Sequence, residues 1–309
     1  MSIFHGLSAF PITPADEHGI VDADGVMRLT TKLADVGVDS IGLLGSTGTY
    51  AYLTRTERRR AIRAAVKSVG GKTPLIAGIG ALRTDDAQDL ARDAEAEGAN
   101  ALLLAPVSYT PLTEEEVFQH YVAVASATSL PLCIYNNPST THFTFSPTLL
   151  DRLADVSNIE AVKMPLPGAM PLVSELGALR TGPAGRLAIG YSGDWGAAEA
   201  LLAGADAWYS VVAGFLPDIS MQMVRAARAA DQPEVLRING LLQPLWDLVR
   251  EFGSLRVAYA AIRELELSQA QPPKPLLPLS DADRHRTAEA LSWTQNSAFC
   301  RRLLRQPDL

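Results

Sequence analysis

His5-Gly6-Leu7-Ser8-Ala9-Phe10-Pro11-Ile12-Thr13-Pro14 is a short apolar run that closes on two prolines. It reads as a first β-strand, and the residues that leave it decide the fold class. An open, doubly wound sheet carries a glycine-rich GxGxxG turn after its first strand. Here the exit is Ala9-Phe10-Pro11-Ile12-Thr13-Pro14, with no such turn. Seven further runs of the same kind follow, at 40–44, 74–79, 99–105, 130–135, 159–163, 187–191 and 206–211. Eight short strands, each followed by a helical stretch, predict a closed (β/α)₈ TIM barrel, with the open sheet as the alternative.

The intervening stretches have helical spacing at 22–36, 54–69, 84–97, 113–127, 145–154, 170–179, 195–203 and 216–230. Thr54 with Glu57, and Thr113 with Glu116, have the spacing of capping boxes. Gly98 is a helix stop. Beyond residue 230 the pattern is purely helical, at 232–252, 254–265 and 281–297, interrupted by the proline-rich spacer 271–278 and followed by a tail to Leu309. The expected organisation is a catalytic barrel over 1–230 and a C-terminal helical extension over 231–309, packed on the barrel.

Composition narrows the function classes. The chain has 309 residues, 47% apolar and 20% charged, enough for one large barrel with an extension. Its net charge of −7 argues against nucleic acid or anionic membranes as partners. No 18-residue apolar stretch or secretory leader pattern is present, so no membrane partner is expected. Two cysteines, Cys133 and Cys300, make no disulfide framework and indicate a reducing, cytoplasmic location. Five histidines with no HxxxH or HExxH spacing leave no expected metal site.

In a barrel the chemistry sits at the C-terminal ends of the strands. Of five lysines, only Lys163 ends an apolar strand, Ile159-Glu160-Ala161-Val162-Lys163. An ammonium buried without a partner is costly, and the neutral amine is a nucleophile toward carbonyls. A salt-bridged or snorkelling lysine at a strand end is the other reading. Gly45-Ser46-Thr47-Gly48 after strand two offers two hydroxyls between glycines. It reads either as a cradle whose glycines turn backbone N–H groups toward a carboxylate, or as an ordinary turn. Tyr135 ends strand five, as a proton relay or as a core residue with its hydroxyl at the wet end.

Gly45-Ser46-Thr47-Gly48, Tyr135-Asn136-x-Pro138 and Lys163, in this order, resemble the family of dihydrodipicolinate synthase and N-acetylneuraminate lyase over nearly the whole chain. The resemblance implies a (β/α)₈ barrel with C-terminal helices, commonly a homotetramer, that binds a pyruvate-type 2-oxo acid as an imine without a cofactor. It implies Lys163 as the Schiff-base lysine, Tyr135 as the proton shuttle and Ser46 in a hydroxyl relay. Thr47 would donate to the pyruvate carboxylate, and Tyr109 would be the relay tyrosine lent by a neighbouring subunit. Gly193, in Ser192-Gly193-Asp194, and Tyr209, in Tyr209-Ser210, would line the same cavity.

Three positions depart from the family pattern. Thr140 stands where the synthases keep an arginine for the carboxylate of aspartate semialdehyde, Thr49 stands where Glu is usual, and Met164-Pro165-Leu166-Pro167-Gly168 replaces a short polar run. Thr141 and His142 are candidates to add hydrogen bonds beside Thr140. The expected activity is a class I, Schiff-base aldolase or lyase acting on a 2-oxo acid and an aldehyde. The alternatives are the true synthase of lysine biosynthesis, a 2-oxo-acid dehydratase and a non-catalytic metabolite-binding barrel.

Overall fold

The computed structural model describes residues 2–168 and 170–304; the tail beyond, to Leu309, lies outside the described residues. Eight strands carry the fold: β1 (Gly6–Ala9), β2 (Ser40–Leu43), β3 (Leu75–Gly78), β4 (Ala101–Leu104), β5 (Leu132–Tyr135), β6 (Ile159–Met164), β7 (Ala188–Tyr191) and β8 (Ala207–Ser210). They pair in chain order, all parallel, and β1 pairs with β8 to close the barrel. All eight expected strands are present, each shorter than its apolar run except β6, which gains Met164. The ladder ends where the chain turns away from its neighbour, while apolar residues continue into the turn.

Both faces of each strand are buried, which is why the runs are almost continuously apolar. Ile134, Val162, Ile189 and Trp208 face outward, into the large core shared with the helices. Cys133, Tyr135, Ala161, Ala188 and Tyr209 face the barrel interior. One irregularity sets the phase of the C-terminal end of β6. Leu132 pairs with Ile159 but Cys133 pairs with Ala161, so Glu160 is bulged out, exposed. Beyond the bulge Tyr135 pairs directly with Lys163.

The helices that alternate with the strands are α1 (Ala23–Val36), α2 (Arg55–Val69), α3 (Thr84–Ala96), α4 (Glu114–Ala125), α5 (Pro138–Thr141), α6 (Pro147–Ala154), α7 (Leu172–Thr181), α8 (Ala197–Leu202) and α9 (Pro217–Arg228). The box at Thr113 and Glu116 forms in both directions. The box at Thr54 does not. Thr54 accepts from the Glu57 amide, but the Glu57 carboxylate accepts from the Val21 amide at 2.7 Å and ties α2 to the chain before α1. The stretch expected as one helix at 195–203 is a 3₁₀ turn, Asp194–Gly196, followed by α8. The one-turn α5 lies in a stretch read as loop, although Pro138 at its first position is a helix-start signal.

Three helices follow, α10 (Gln232–Phe252), α11 (Ser254–Glu264) and α12 (Asp281–Leu304). Buried Val235, Leu242, Trp246, Val257 and Leu291 join them to the same core as the barrel's outer layer. The α10–α11 junction, Gly253-Ser254-Leu255, reaches the C-terminal mouth of the barrel, as does Leu276 from the spacer. None of the described helices is long and apolar enough to cross a membrane.

Candidate active site

The C-terminal ends of the strands surround a cavity of about 670 Å³. Lys163 rises into it from β6, only 4% exposed. Its Nζ lies 3.9 Å from the centroid of the Phe10 ring, 4.3 Å from that of Tyr135 and 5.6 Å from that of Tyr209. Among the described residues no carboxylate is within salt-bridge distance of it. The salt-bridged reading of this lysine is therefore absent from the structure. The ring faces attract a cation. An iminium formed at Nζ keeps the positive charge, so the cage suits the intermediate as well as the lysine.

The interior has to leave room for the ring beneath the amine. A Cβ on Gly42 of β2 would come within 2.2 Å of the Phe10 ring, and one on Gly45 within 2.7 Å. This changes the reading of Gly45-Ser46-Thr47-Gly48. Its glycines are not the residues with left-handed backbone; Leu44 (φ 56°) and Thr49 (φ 54°), which flank the motif, are. The glycines supply space, and the flanking residues supply the turn. Ser46 and Thr47 still line the cavity.

Tyr135 and Ser46 meet, Oη to Oγ at 3.3 Å. A third residue, unmarked by the sequence reading, organises them. Asn137 donates from Nδ2 to Tyr135 Oη at 3.0 Å and reaches Ser46 Oγ at 3.5 Å. With one lone pair of Tyr135 occupied by that amide, its proton is left for Ser46 or for a species on Lys163. Asn137 occupies the variable position of the Tyr-Asn-x-Pro motif, so only its adjacency to Tyr135 pointed to it.

The remaining candidates divide. Thr140 lines the cavity, but its hydroxyl donates to the Asn137 carbonyl at 3.3 Å. Thr141 also lines it and donates to the same carbonyl at 3.0 Å. His142 caps α5 with φ 55° and is not among the lining residues, so it does not add the hydrogen bond expected of it. Tyr209 presents its ring, since its hydroxyl meets the Cys133 thiol at 3.6 Å inside the barrel. Burial pushes the Cys133 thiol up to about 12, which leaves it inert. Gly193 lines the cavity with φ 91°, and a Cβ there would also strike Leu166 at 2.8 Å. Tyr109 is 95% exposed and reaches neither Ser46 nor Tyr135 within the chain.

Asp194, in the Ser192-Gly193-Asp194 loop, lines the cavity as well. Its carboxylate is fully buried and accepts from Trp208 Nε1 at 2.9 Å and from the Val212 amide at 3.1 Å. Burial raises its pKa, against these hydrogen bonds and the attraction of Lys163. It thereby pins the strand-seven loop to the end of β8. Asp194→Ala orphans two buried donors and is expected to cost about 2–4 kcal/mol of stability, read as a fall in the urea midpoint. A midpoint within error of the parent would show that the loop is held by other contacts.

Comparison with known proteins places this architecture. The model of the dihydrodipicolinate synthetase family matches residues 3–294. The chain belongs to this family. Its members are lyases that use a lysine Schiff base with pyruvate. A 4-hydroxy-tetrahydrodipicolinate synthase from Methylococcus capsulatus is 35% identical over 281 residues, 90% of this chain and 94% of that one. A dihydrodipicolinate synthase from Agrobacterium tumefaciens str. C58, solved by crystallography, superposes with a TM-score of 0.93 at 58% identity, covering 94% of this chain and 98% of that one. The chloride-inhibited dihydrodipicolinate synthase from Acinetobacter baumannii, solved in complex with pyruvate, has a TM-score of 0.85 at 30% identity, with 94% and 99% coverage. The fold and the class I aldolase or lyase reading agree with the family.

Proposed function

We propose that Lys163 carries this chain's chemistry as a Schiff-base lyase or aldolase acting on pyruvate or a related 2-oxo acid, with an acceptor aldehyde that bears no second carboxylate. The observation that carries the reading is the place of Lys163. It is the one cationic side chain lining the described cavity, buried under aromatic rings, with Tyr135 paired to it across the ladder. Nζ adds to C2 of the oxo acid, and water leaves to give the iminium. Loss of a C3 proton gives the enamine, whose C3 adds to the aldehyde carbon; hydrolysis of the imine releases product and restores Nζ. Tyr135, hydrogen-bonded by Asn137 and Ser46, is placed to move the protons of these steps. Thr47 is proposed to donate to the oxo-acid carboxylate. No step calls on a cofactor.

The acceptor half of the cavity has no arginine, and the Thr140 hydroxyl is engaged with the backbone. A second carboxylate there would find no charge-assisted partner. Leu166, Trp195, Leu255 and Leu276 make the wall apolar, which suits a neutral, alkyl or aryl aldehyde. The similarity to 4-hydroxy-tetrahydrodipicolinate synthases supports the second reading, the true synthase. With pyruvate fixed, kcat/KM for neutral aldehydes is expected to exceed that for aspartate semialdehyde by about tenfold or more, the scale of one charge-assisted hydrogen bond. The reverse order by tenfold would establish the synthase. Thr140→Arg should raise the semialdehyde value.

Exposed Tyr109 supports a homotetramer in which a second chain covers it. Its loop neighbours Val107 and Leu112 line an open groove with Leu82. The two cysteines and the family's bacterial relatives support a cytoplasmic location.

A further inference from the structure

We propose that the helical extension holds a second ligand site, an arginine-lined cavity between α11 and α12 that binds a compact dianion such as a phosphate ester or dicarboxylate. The cavity measures about 290 Å³, and no residue of the active-site cavity takes part in it. Arg256, Tyr259, Ala260 and Arg263 line it from α11. Their spacing of i, i+3, i+4 and i+7 places them on one helix face. Arg284 enters from the first turn of α12, with Asp281 at the rim.

The two α11 arginines lack the close carboxylate partners that several arginines elsewhere in this chain hold. Arg55, Arg59, Arg63 and Arg180 each hold a carboxylate within 3.0 Å. The Arg263 side chain makes no hydrogen bond or ion pair with the described residues. Arg256 makes one long bond, Nη1 to the Phe252 carbonyl at 3.4 Å. Arg284 bonds Asp281 at 2.6 Å, but Asp281 is 95% exposed, and such a pair contributes little. Three guanidiniums against one carboxylate leave a charge of +2 around a partly buried cavity, in a chain whose net charge is −7. Unpaired, partly desolvated guanidinium forks are matched by oxyanions, which accept their N–H groups in pairs. Ala260 keeps the floor open between the two α11 arginines. Tyr259 beside it is buried.

The test is calorimetric titration of the full chain with inorganic phosphate and, separately, succinate, against sodium chloride at matched ionic strength. One saturable site per chain is expected for at least one dianion, and which one binds distinguishes phosphate from dicarboxylate chemistry. Arg263→Gln should weaken it about tenfold or more, and the Arg256→Gln/Arg263→Gln pair should abolish it, while Arg83→Gln on an exposed turn changes nothing. Arg263→Lys keeps the charge without the fork, and should fall between parent and Arg263→Gln if the latter folds poorly. The proposal is overturned if neither dianion binds beyond the chloride control, or if the paired variant binds as the parent does. It is equally overturned if the paired variant dissociates in sedimentation while the parent ignores both anions, since the arginines would then serve a contact between copies. Binding needs no turnover, so this result is independent of the lyase reading.

Discussion

Borohydride added to the protein together with pyruvate should leave a reduced adduct on the peptide carrying Lys163. Lys163→Ala should abolish that adduct and lower turnover by roughly 10⁴-fold or more, the scale of losing a covalent nucleophile. The experiment has a real competitor to exclude. Lys67, Lys72 and Lys274 are exposed, but Lys32 is half-buried between α1 and α9, and burial lowers its pKa against the attraction of Asp218. A lowered pKa alone would make Lys32 a candidate amine. It lacks the site: its cavity shares no lining residue with the one around Lys163 and brings no tyrosine to it. Lys163 is beside Tyr135 and over the Phe10 ring, and faces a cavity large enough for substrate. An adduct on Lys32, or none with any 2-oxo acid tried, would refute the assignment.

Tyr135→Phe is expected to lower turnover by about 10²–10⁴-fold, as loss of a proton-transfer group does, while the thermal midpoint stays close to that of the parent. The variant keeps the ring that stands 4.3 Å from Nζ, so packing and the aromatic cage survive. It removes the oxygen that Asn137 and Ser46 hold. Imine formation should slow but remain detectable by borohydride trapping, because the amine is intact. That split separates a proton shuttle from a structural tyrosine. Full turnover in the variant would reduce Tyr135 to its ring.

The barrel was legible, and Lys163 stood out as the candidate, because both readings rest on local signals. Strand period, the absence of a glycine-rich first turn and the isolation of Lys163 among the lysines all lie within short windows of sequence. The misreadings rest on partners far along the chain. Glu57 spends its carboxylate on Val21 instead of on a capping box. Gly45, before Ser46, is set by the Phe10 ring, thirty-odd residues earlier. Asp194 is defined by Trp208 and Val212, and Asn137 by the placement of its amide between Tyr135 and Ser46. Pro138 was a local signal for α5 that a loop reading passed over. Tyr109 is solvent-facing within the chain, so its own surroundings mark no role for it.

The bulge at Glu160 shows how the amine comes to be in the barrel at all. From Leu132 to Tyr135 is three steps along β5, while from Ile159 to Lys163 is four along β6. A regular ladder starting from the same first pair would set Val162 beside Tyr135 and turn Lys163 toward the helices. The extra residue exchanges an isopropyl group for an amine at that point. The chemistry is therefore inherited through the length of a strand as well as through the identity of its residues, and a change of count below the rim re-aims what a substitution at Glu160 would leave in place.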